Sequence, residues 1–393
     1  MNHFEQIKAL DDQYVMHTYG RFPVAVVEGK NACCTDADGK TYIDMTSGIG
    51  VNALGFCDEG WIRAVTDQLC KIAHISNLYY TLPCIQAAQI LCQRTGMKKV
   101  FFANGGAEAN EGAIKAARKY AFMKYGPGRN KIITLKNSFH GRTVTTLAAT
   151  GQEVFHNYFF PFTEGFDFAA AGDLDDLKAK CAGDVCAVMV ELVQGEGGVV
   201  PVSKDYIQKV AAFCRENDIL LIVDEVQTGV GRTGSLYCFQ QYGIQPDIVT
   251  SAKGIGGGLP LAAVLFGEKT ENALQPGDHA TTFGGNPVAC AGAVEVLNRL
   301  DDAFLAEVSK KGAYITQRVM KMPHVKSVSG MGLMLGIELD EGLKAADVVR
   351  AGIQNGVLLL TAKAKVRLLP PLTIPYEQID QALDALEKTL AEF

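Results

Sequence analysis

Lys253 ends the apolar run in "DIVTSAKGIGGGLP" and is followed by four glycines before Pro260. A lysine directly after a buried strand must find a partner, reach out to solvent, or give up its charge. A desolvated lysine has a lowered pKa and becomes an amine nucleophile, which is what Schiff-base chemistry requires. By itself Lys253 does not choose between these readings. Other strand ends add to it. "ILLIVDE" ends in Asp224 and Glu225, and "CAVMVELVQGEGG" places Glu191 and Glu196 five residues apart. An acid in such a place is costly unless it is paired or used. "NSFHGRT" groups Phe139, His140 and Arg142. "VFFANGGAEAN" opens a helix at Asn104, Gly105, Gly106 and Ala107. Backbone N–H groups at a glycine-rich helix start suit a phosphate, although an ordinary strand-to-helix turn reads the same way.

Together these parts make the inventory for pyridoxal phosphate. The helix start takes the phosphate, and an aromatic covers one ring face. An aspartate keeps the pyridine nitrogen protonated so that the ring draws electrons. A lysine bonds the aldehyde. "GIGGG" is a weak dinucleotide fingerprint, because Pro260 stands where a helix would follow. No phosphate-binding GxxxxGK[ST] loop and no GxSxG elbow occur.

The elements that must position these residues are short β-branched runs: "KVFFAN", "KIITL", "CAVMVELV", "ILLIVDE" and "DIVTSA". Their near-continuous apolar character suits strands buried on both faces. Helical patterns lie between them, such as "GGAEANEGAIKAARKYA", with Ile114, Ala117 and Ala121 on one face, and "KDYIQKVAAFCREN". Strands alternating with helices predict an α/β fold with a mostly parallel sheet, whose ligand site lies outside the carboxyl ends of the strands. Residues up to about 50 read as extended pieces and turns, and "VKSVSGMGLMLGIEL" reads as a hairpin. We expect residues 1–55 and 286–393 to build a smaller α+β domain beside a large domain of residues 56–285.

Composition narrows the function. The 393 residues carry 43 acids and 37 bases, with no basic stripe, so nucleic acid is not an expected partner. No apolar run is long enough to span a membrane, and the polar N-terminus shows no secretion signal. A cytoplasmic location is the expectation. The eleven cysteines are scattered and odd in number, which predicts buried apolar filler with no disulfide framework and no metal site.

The sequence resembles the class III, ornithine-type aminotransferases among the fold-type I pyridoxal-phosphate enzymes. The resemblance runs through nearly the whole chain: "TYGRFPV", "SGIGVNALG", "HISNLYY", "FFANGGAEANEGAIKAARKY", "SFHGRT", "VQGEGGV", "VDEVQTGVGRTG", "TSAKGIGGGLP", "TTFGGNP" and "VRLLPPL". "TYGRFPV" and "SNLYY" pull it toward the acetylornithine branch.

The resemblance implies that Lys253 forms the Schiff base and shuttles the proton, and that Asp224 pairs with the pyridine nitrogen. It implies Phe139 and Val226 on the two ring faces, Gln227 near the ring hydroxyl, and Gly105, Gly106 and Ala107 at the phosphate. Thr282 is expected to reach the phosphate of a neighbouring subunit in a homodimer. Arg142 is expected to take the α-carboxylate of the amino donor and Arg367 that of glutamate or 2-oxoglutarate, with Glu196 covering Arg367 in one half-reaction. Tyr19, Ile49 and Thr281 complete the implied substrate site.

Ile49 stands where ornithine aminotransferases carry a tyrosine for the free α-amino group, which favours an acylated donor. The implied reaction is transamination between N-acetylornithine and 2-oxoglutarate. Succinylornithine, ornithine and 4-aminobutyrate are the alternatives, and a non-catalytic homologue that binds the cofactor is the remote one. Three positions depart from the family pattern: Gly105 replaces the usual serine, Phe56 a histidine, and Ala280 a glycine after His279.

Overall fold

The structure is a computed structural model that describes residues 2–393. A seven-stranded sheet lies at its centre. In chain order its strands are β1 (Lys99–Ala103), β2 (Lys131–Leu135), β3 (Phe166–Ala169), β4 (Val185–Val190), β5 (Leu220–Asp224), β6 (Ile248–Ser251) and β7 (Ala262–Phe266). In space they run β1-β7-β6-β5-β4-β2-β3. Every residue of β4, β5, β6 and β7 is buried, which is why β4, β5 and β6 read as near-continuous apolar runs.

The strands from β6 to β3 pair in parallel. β7, which the sequence did not reveal as a separate strand, runs antiparallel to both β1 and β6, with Ala262 opposite Ala103 and Ile248 opposite Phe266. The chain therefore reverses between β6 and β7, and the glycines after Lys253 make the reversal. Gly257 sits at φ 63° and Gly258 at φ 136°, where other residues are strained. A Cβ on Gly257 would also lie 2.5 Å from Trp61 Nε1, whose ring N–H donates to the Gly256 carbonyl at 3.2 Å.

Helix α1 (Gly106–Tyr125) packs on the sheet through Ala109, Ala113, Ile114, Ala116, Ala117 and Ala121, which include the expected face. Alanines favour the helix and let its axis approach the strands. The hairpin of Val325–Met331 and Met334–Leu339 forms as its pattern predicts. Its second strand pairs with Lys365–Leu368, placing Gly336 opposite Arg367. The strand Thr41–Asp44 pairs in parallel with Val357–Leu358, so the two ends of the chain meet in one small sheet.

One expectation fails at the N-terminus. Residues His3–Tyr14 form a helix, capped by Asn2, whose side chain accepts the Glu5 N–H at 2.8 Å. None of its residues is buried, so it lacks the apolar stripe by which a helix is read from sequence. Phe56 belongs to a satellite core with Cys34, Tyr42 and Ile353, and its ring lies where a Cβ on Gly29 would be 2.8 Å away. At this position the phenyl ring is apolar filling.

Candidate active site

A cavity of about 620 Å³ opens at the carboxyl ends of β1, β4, β5 and β6. These strands deliver Asn104, Glu191, Asp224 and Lys253 to one rim, all of which face the cavity. Helix α1 begins there. Gly105 is its N-cap and offers no side-chain cap. The first N–H groups of a helix have no intrahelical acceptor, so Gly105, Gly106 and Ala107 present a small anion site. Gly106 is required by close approach: a Cβ there would lie 2.7 Å from Val226 Cγ1.

Asp224 is almost fully buried and firmly oriented. Its Oδ2 accepts from Asn110 Nδ2 at 2.8 Å and pairs with His140 Nδ1 at 2.8 Å, and its Oδ1 accepts the Val226 N–H at 3.0 Å. Asn110 also donates to the His140 carbonyl at 2.7 Å. Glu191 accepts the Phe139 N–H at 2.8 Å and the Gly195 N–H at 3.3 Å. Burial pushes its pKa up to about 7. The nearby Asp224 charge adds to the rise, while His140 opposes it. Glu225 points away from the cavity and binds the Thr228 hydroxyl at 2.5 Å and the Phe239 N–H at 2.7 Å, so it is a structural acid.

Lys253 keeps part of its surface on the cavity, in the left-handed region at φ 48°. Burial pulls its pKa below the usual lysine range. Asp224, Glu196 and Glu191 work against that fall, and Arg367 adds to it. Arg367 lies behind the cavity wall, 3% exposed, with Nη1 at 2.5 Å from Glu196 Oε1 and 3.3 Å from Gln227 Oε1. Arg142 is exposed and makes no ion pair among the described residues; its guanidinium lies over the Phe155 ring at 4.3 Å and the Phe139 ring at 5.5 Å.

Of the residues implied by the sequence, Lys253, Asp224, Gly105, Gly106, Ala107, Phe139, Val226, Gln227, Arg142, Glu196 and Tyr19 line one cavity, and Arg367 stands directly behind it. Thr281 lies just outside, where its hydroxyl accepts from Asn104 Nδ2 at 3.0 Å. Ile49 and Thr282 do not line this chain's cavity; Ile49 is 41% exposed and Thr282 is also on the surface. Sequence reading gave no role to Asn110, His140, Glu191 or Phe155. Glu191 and His140 were visible as polar residues at strand ends. Asn110 sits inside an alanine-rich helix, where nothing marks it.

The chain belongs to the class-III aminotransferase family, whose model matches residues 14–390, and it is a pyridoxal-phosphate-dependent aminotransferase. Within the family it is 52% identical to the acetylornithine aminotransferase of Haemophilus ducreyi, over 99% of both chains. It is 45% identical to that of Caldanaerobacter subterraneus, over 97% of this chain and 98% of the relative. Among solved structures, an ornithine aminotransferase from Toxoplasma gondii superposes with a TM-score of 0.95 at 33% identity, covering 100% of this chain and 96% of that one.

The residues present fit pyridoxal phosphate. The rim offers a helix start for a phosphate, a fixed buried carboxylate for a ring nitrogen, and a lysine with a lowered pKa for an aldehyde. At the cradle itself, a Cβ on Gly105 would meet nothing within 4 Å.

Proposed function

We propose that this chain transfers the terminal amino group of N2-acetylornithine to 2-oxoglutarate, giving N-acetylglutamate 5-semialdehyde and glutamate. The observation that carries the proposal is a pair of arginines serving one cavity, with Arg142 open and Arg367 closed by Glu196. The names of the relatives at 45–52% identity support the same reading.

When bound, pyridoxal phosphate supplies the aldehyde that captures the amine and the electron-poor ring that spreads the charge left by a departing proton. Asp224 would hold its ring nitrogen, Gly105, Gly106 and Ala107 its phosphate, Phe139 and Val226 its faces, and Gln227 would lie near its hydroxyl. Arg142 grips the α-carboxylate of the donor through parallel N–H bonds, leaving the far amine to extend toward Lys253. Glu196 covers Arg367 during this half-reaction, so no second carboxylate competes beside Lys253. Lys253 Nζ, whose pKa burial lowers, would take the proton from the amine-bearing carbon and deliver it to the cofactor's aldehyde carbon, on the other side of the shared nitrogen. In the second half-reaction the α-carboxylate of 2-oxoglutarate displaces Glu196 from Arg367. Ile49 carries no polar atom to hold a free α-amino group, which supports an acylated donor.

The unit works as a homodimer in this reading. Leu78 and Tyr80 are 87% and 98% exposed, and neighbouring Asn77 donates to the Thr281 and Gly284 carbonyls. An apolar face beside Thr282 suits a second copy whose cofactor phosphate Thr282 would reach. Residues 56–285 would then form the cofactor-binding unit, and 1–55 with 286–393 the smaller one. All eleven cysteines are free thiols, as suits a reducing cytoplasm. No helix among the described residues is long and apolar enough to cross a membrane.

The test is a donor panel of N-acetylornithine, succinylornithine, ornithine and 4-aminobutyrate, each with 2-oxoglutarate. N-Acetylornithine should give the highest kcat/KM, and the proposal fails if 4-aminobutyrate does.

A further inference from the structure

We propose that Phe155 positions Arg142 for the donor's carboxylate, acting as the flat support that holds the guanidinium in its binding pose. The inference rests on the reading of Arg142 as the carboxylate receptor. Arg142 is exposed, and among the described residues no acceptor or carboxylate fixes its head group. A side chain of this length left free would sample many rotamers, and each bond to a ligand would then be made at an entropic cost. The Phe155 ring removes much of that freedom. The guanidinium carbon lies over the ring, 4.3 Å from its centroid, and a guanidinium resting flat on such a face keeps its in-plane N–H edge open. That edge is the one that binds a carboxylate with two parallel hydrogen bonds.

Phe155 can do this because its own place is set from several sides. It closes the short turn Glu153–Phe155, where its N–H donates to the Gln152 carbonyl at 3.1 Å. The Gln152 side chain donates to the Ser138 carbonyl at 3.1 Å, one residue before Phe139. The Asn137 N–H donates to the Gly151 carbonyl at 2.7 Å, and His156 Nε2 lies 3.0 Å from the Leu147 carbonyl. The Phe155 ring meets Phe139 edge to face, with centroids 5.7 Å apart and planes at 71°. The segment carrying Phe155 is thus stitched to the segment carrying Phe139 and Arg142. Gly151 permits the stitch: a Cβ there would lie 2.1 Å from the Leu135 carbonyl oxygen, so no larger residue lets the backbone pass so close.

The test uses the holoenzyme with Phe155→Leu, which removes the π face and keeps the bulk, and with Phe155→Tyr, which keeps the face. Two donors are compared: N-acetylornithine, and the same amine with the α-carboxylate replaced by hydrogen. Phe155→Leu should raise KM for the carboxylated donor by roughly three- to thirty-fold, with little change in kcat. It should spare the carboxylate-free amine, and Phe155→Tyr should restore the discrimination between donors. Calorimetry with N-acetylnorvaline, an unreactive mimic that keeps the carboxylate and lacks the terminal amine, should show Kd weakened by the same factor. A loss shared equally by both donors would overturn the proposal, since Phe155 would then be lining the pocket or propping Phe139. Arg142→Leu separates the underlying reading. If Arg142→Leu weakens both donors equally, or neither, Arg142 is not the carboxylate receptor and both ideas fall. If it weakens only the carboxylated donor while Phe155→Leu does not, only the positioning role is lost.

Discussion

His140 Nδ1 and Asp224 Oδ2 lie 2.8 Å apart, with His140 2% and Asp224 4% exposed. Asn110 reaches the same oxygen from helix α1 at 2.8 Å. Two partners from two elements fix the direction of one carboxylate at the end of β5. Its charge is what the site needs, because a fixed anion strengthens the proton on a ring nitrogen. Asp224→Asn keeps the shape and removes the charge. It should lower kcat on the order of 10²- to 10³-fold and weaken cofactor binding, while the far-UV spectrum stays native. A kcat within about tenfold of the natural protein would show that the charge is not needed.

Glu196 closes Arg367 at 2.5 Å and is itself 31% exposed, so it can swing out where Arg367 cannot. Glu196→Ala leaves the guanidinium uncovered in both half-reactions. Glutamate, which needs Arg367, should gain against N-acetylornithine, which needs it covered. The ratio of their kcat/KM values should shift toward glutamate by about ten- to a hundredfold, the size of one charged hydrogen bond. An unchanged ratio would mean that the pair is only structural.

How far the sequence could be read follows from what each residue does locally. The buried strands were legible because an unbroken apolar run has few other uses, and Lys253, Asp224 and Asn104 stand out because each ends one. β7 was hidden, since its apolar residues follow Leu261 without any mark of the reversal into an antiparallel strand. The helix at His3–Tyr14 was hidden because no face of it is buried. The hydrogen bonds around Asp224 could not be read at all. Asn110 and His140 are 30 residues apart, and His140 and Asp224 are 84 apart; only the folded sheet brings them together. Phe155 was illegible for a similar reason, as nothing in "GQEVFHNYFF" says that its ring lies under Arg142.

Gly105 removes a hydroxyl from the start of helix α1, and the structure shows room for one. A Cβ there meets nothing within 4 Å, and the residue has extended backbone at φ −143°, which any residue can adopt. Serine is also a good N-cap. Gly105→Ser should therefore tighten pyridoxal-phosphate binding by about tenfold or more, as one added charge-assisted bond of about 1.5–3 kcal/mol requires. Dialysis followed by fluorescence titration of the apoprotein measures this. Equal affinity in the two proteins would show that water already fills the place of the hydroxyl.

Lys253 should leave a signature in stability as well as in rate. In the cofactor-free protein its amine is free, and burial lowers its pKa from the ordinary 10.5; Arg367 acts in the same direction, and Asp224, Glu196 and Glu191 offset part of the fall. In the unfolded chain the lysine keeps its ordinary pKa. Between the folded pKa and 10.5 the unfolded chain therefore holds more proton than the folded one, and at any pH below 10.5 the lysine costs stability. That cost is complete below the folded pKa, shrinks as pH rises from there, and vanishes above 10.5. Lys253→Met removes it. The variant apoprotein should melt on the order of a few degrees higher than the natural apoprotein near neutral pH, and the gain should fade as the pH approaches 10.5. Paired calorimetric scans of both apoproteins across that range provide the measurement. A gain that grows with pH would mean that the folded site favours the charged ammonium, and Lys253 would then be a salt-bridged residue with no special readiness to act as an amine.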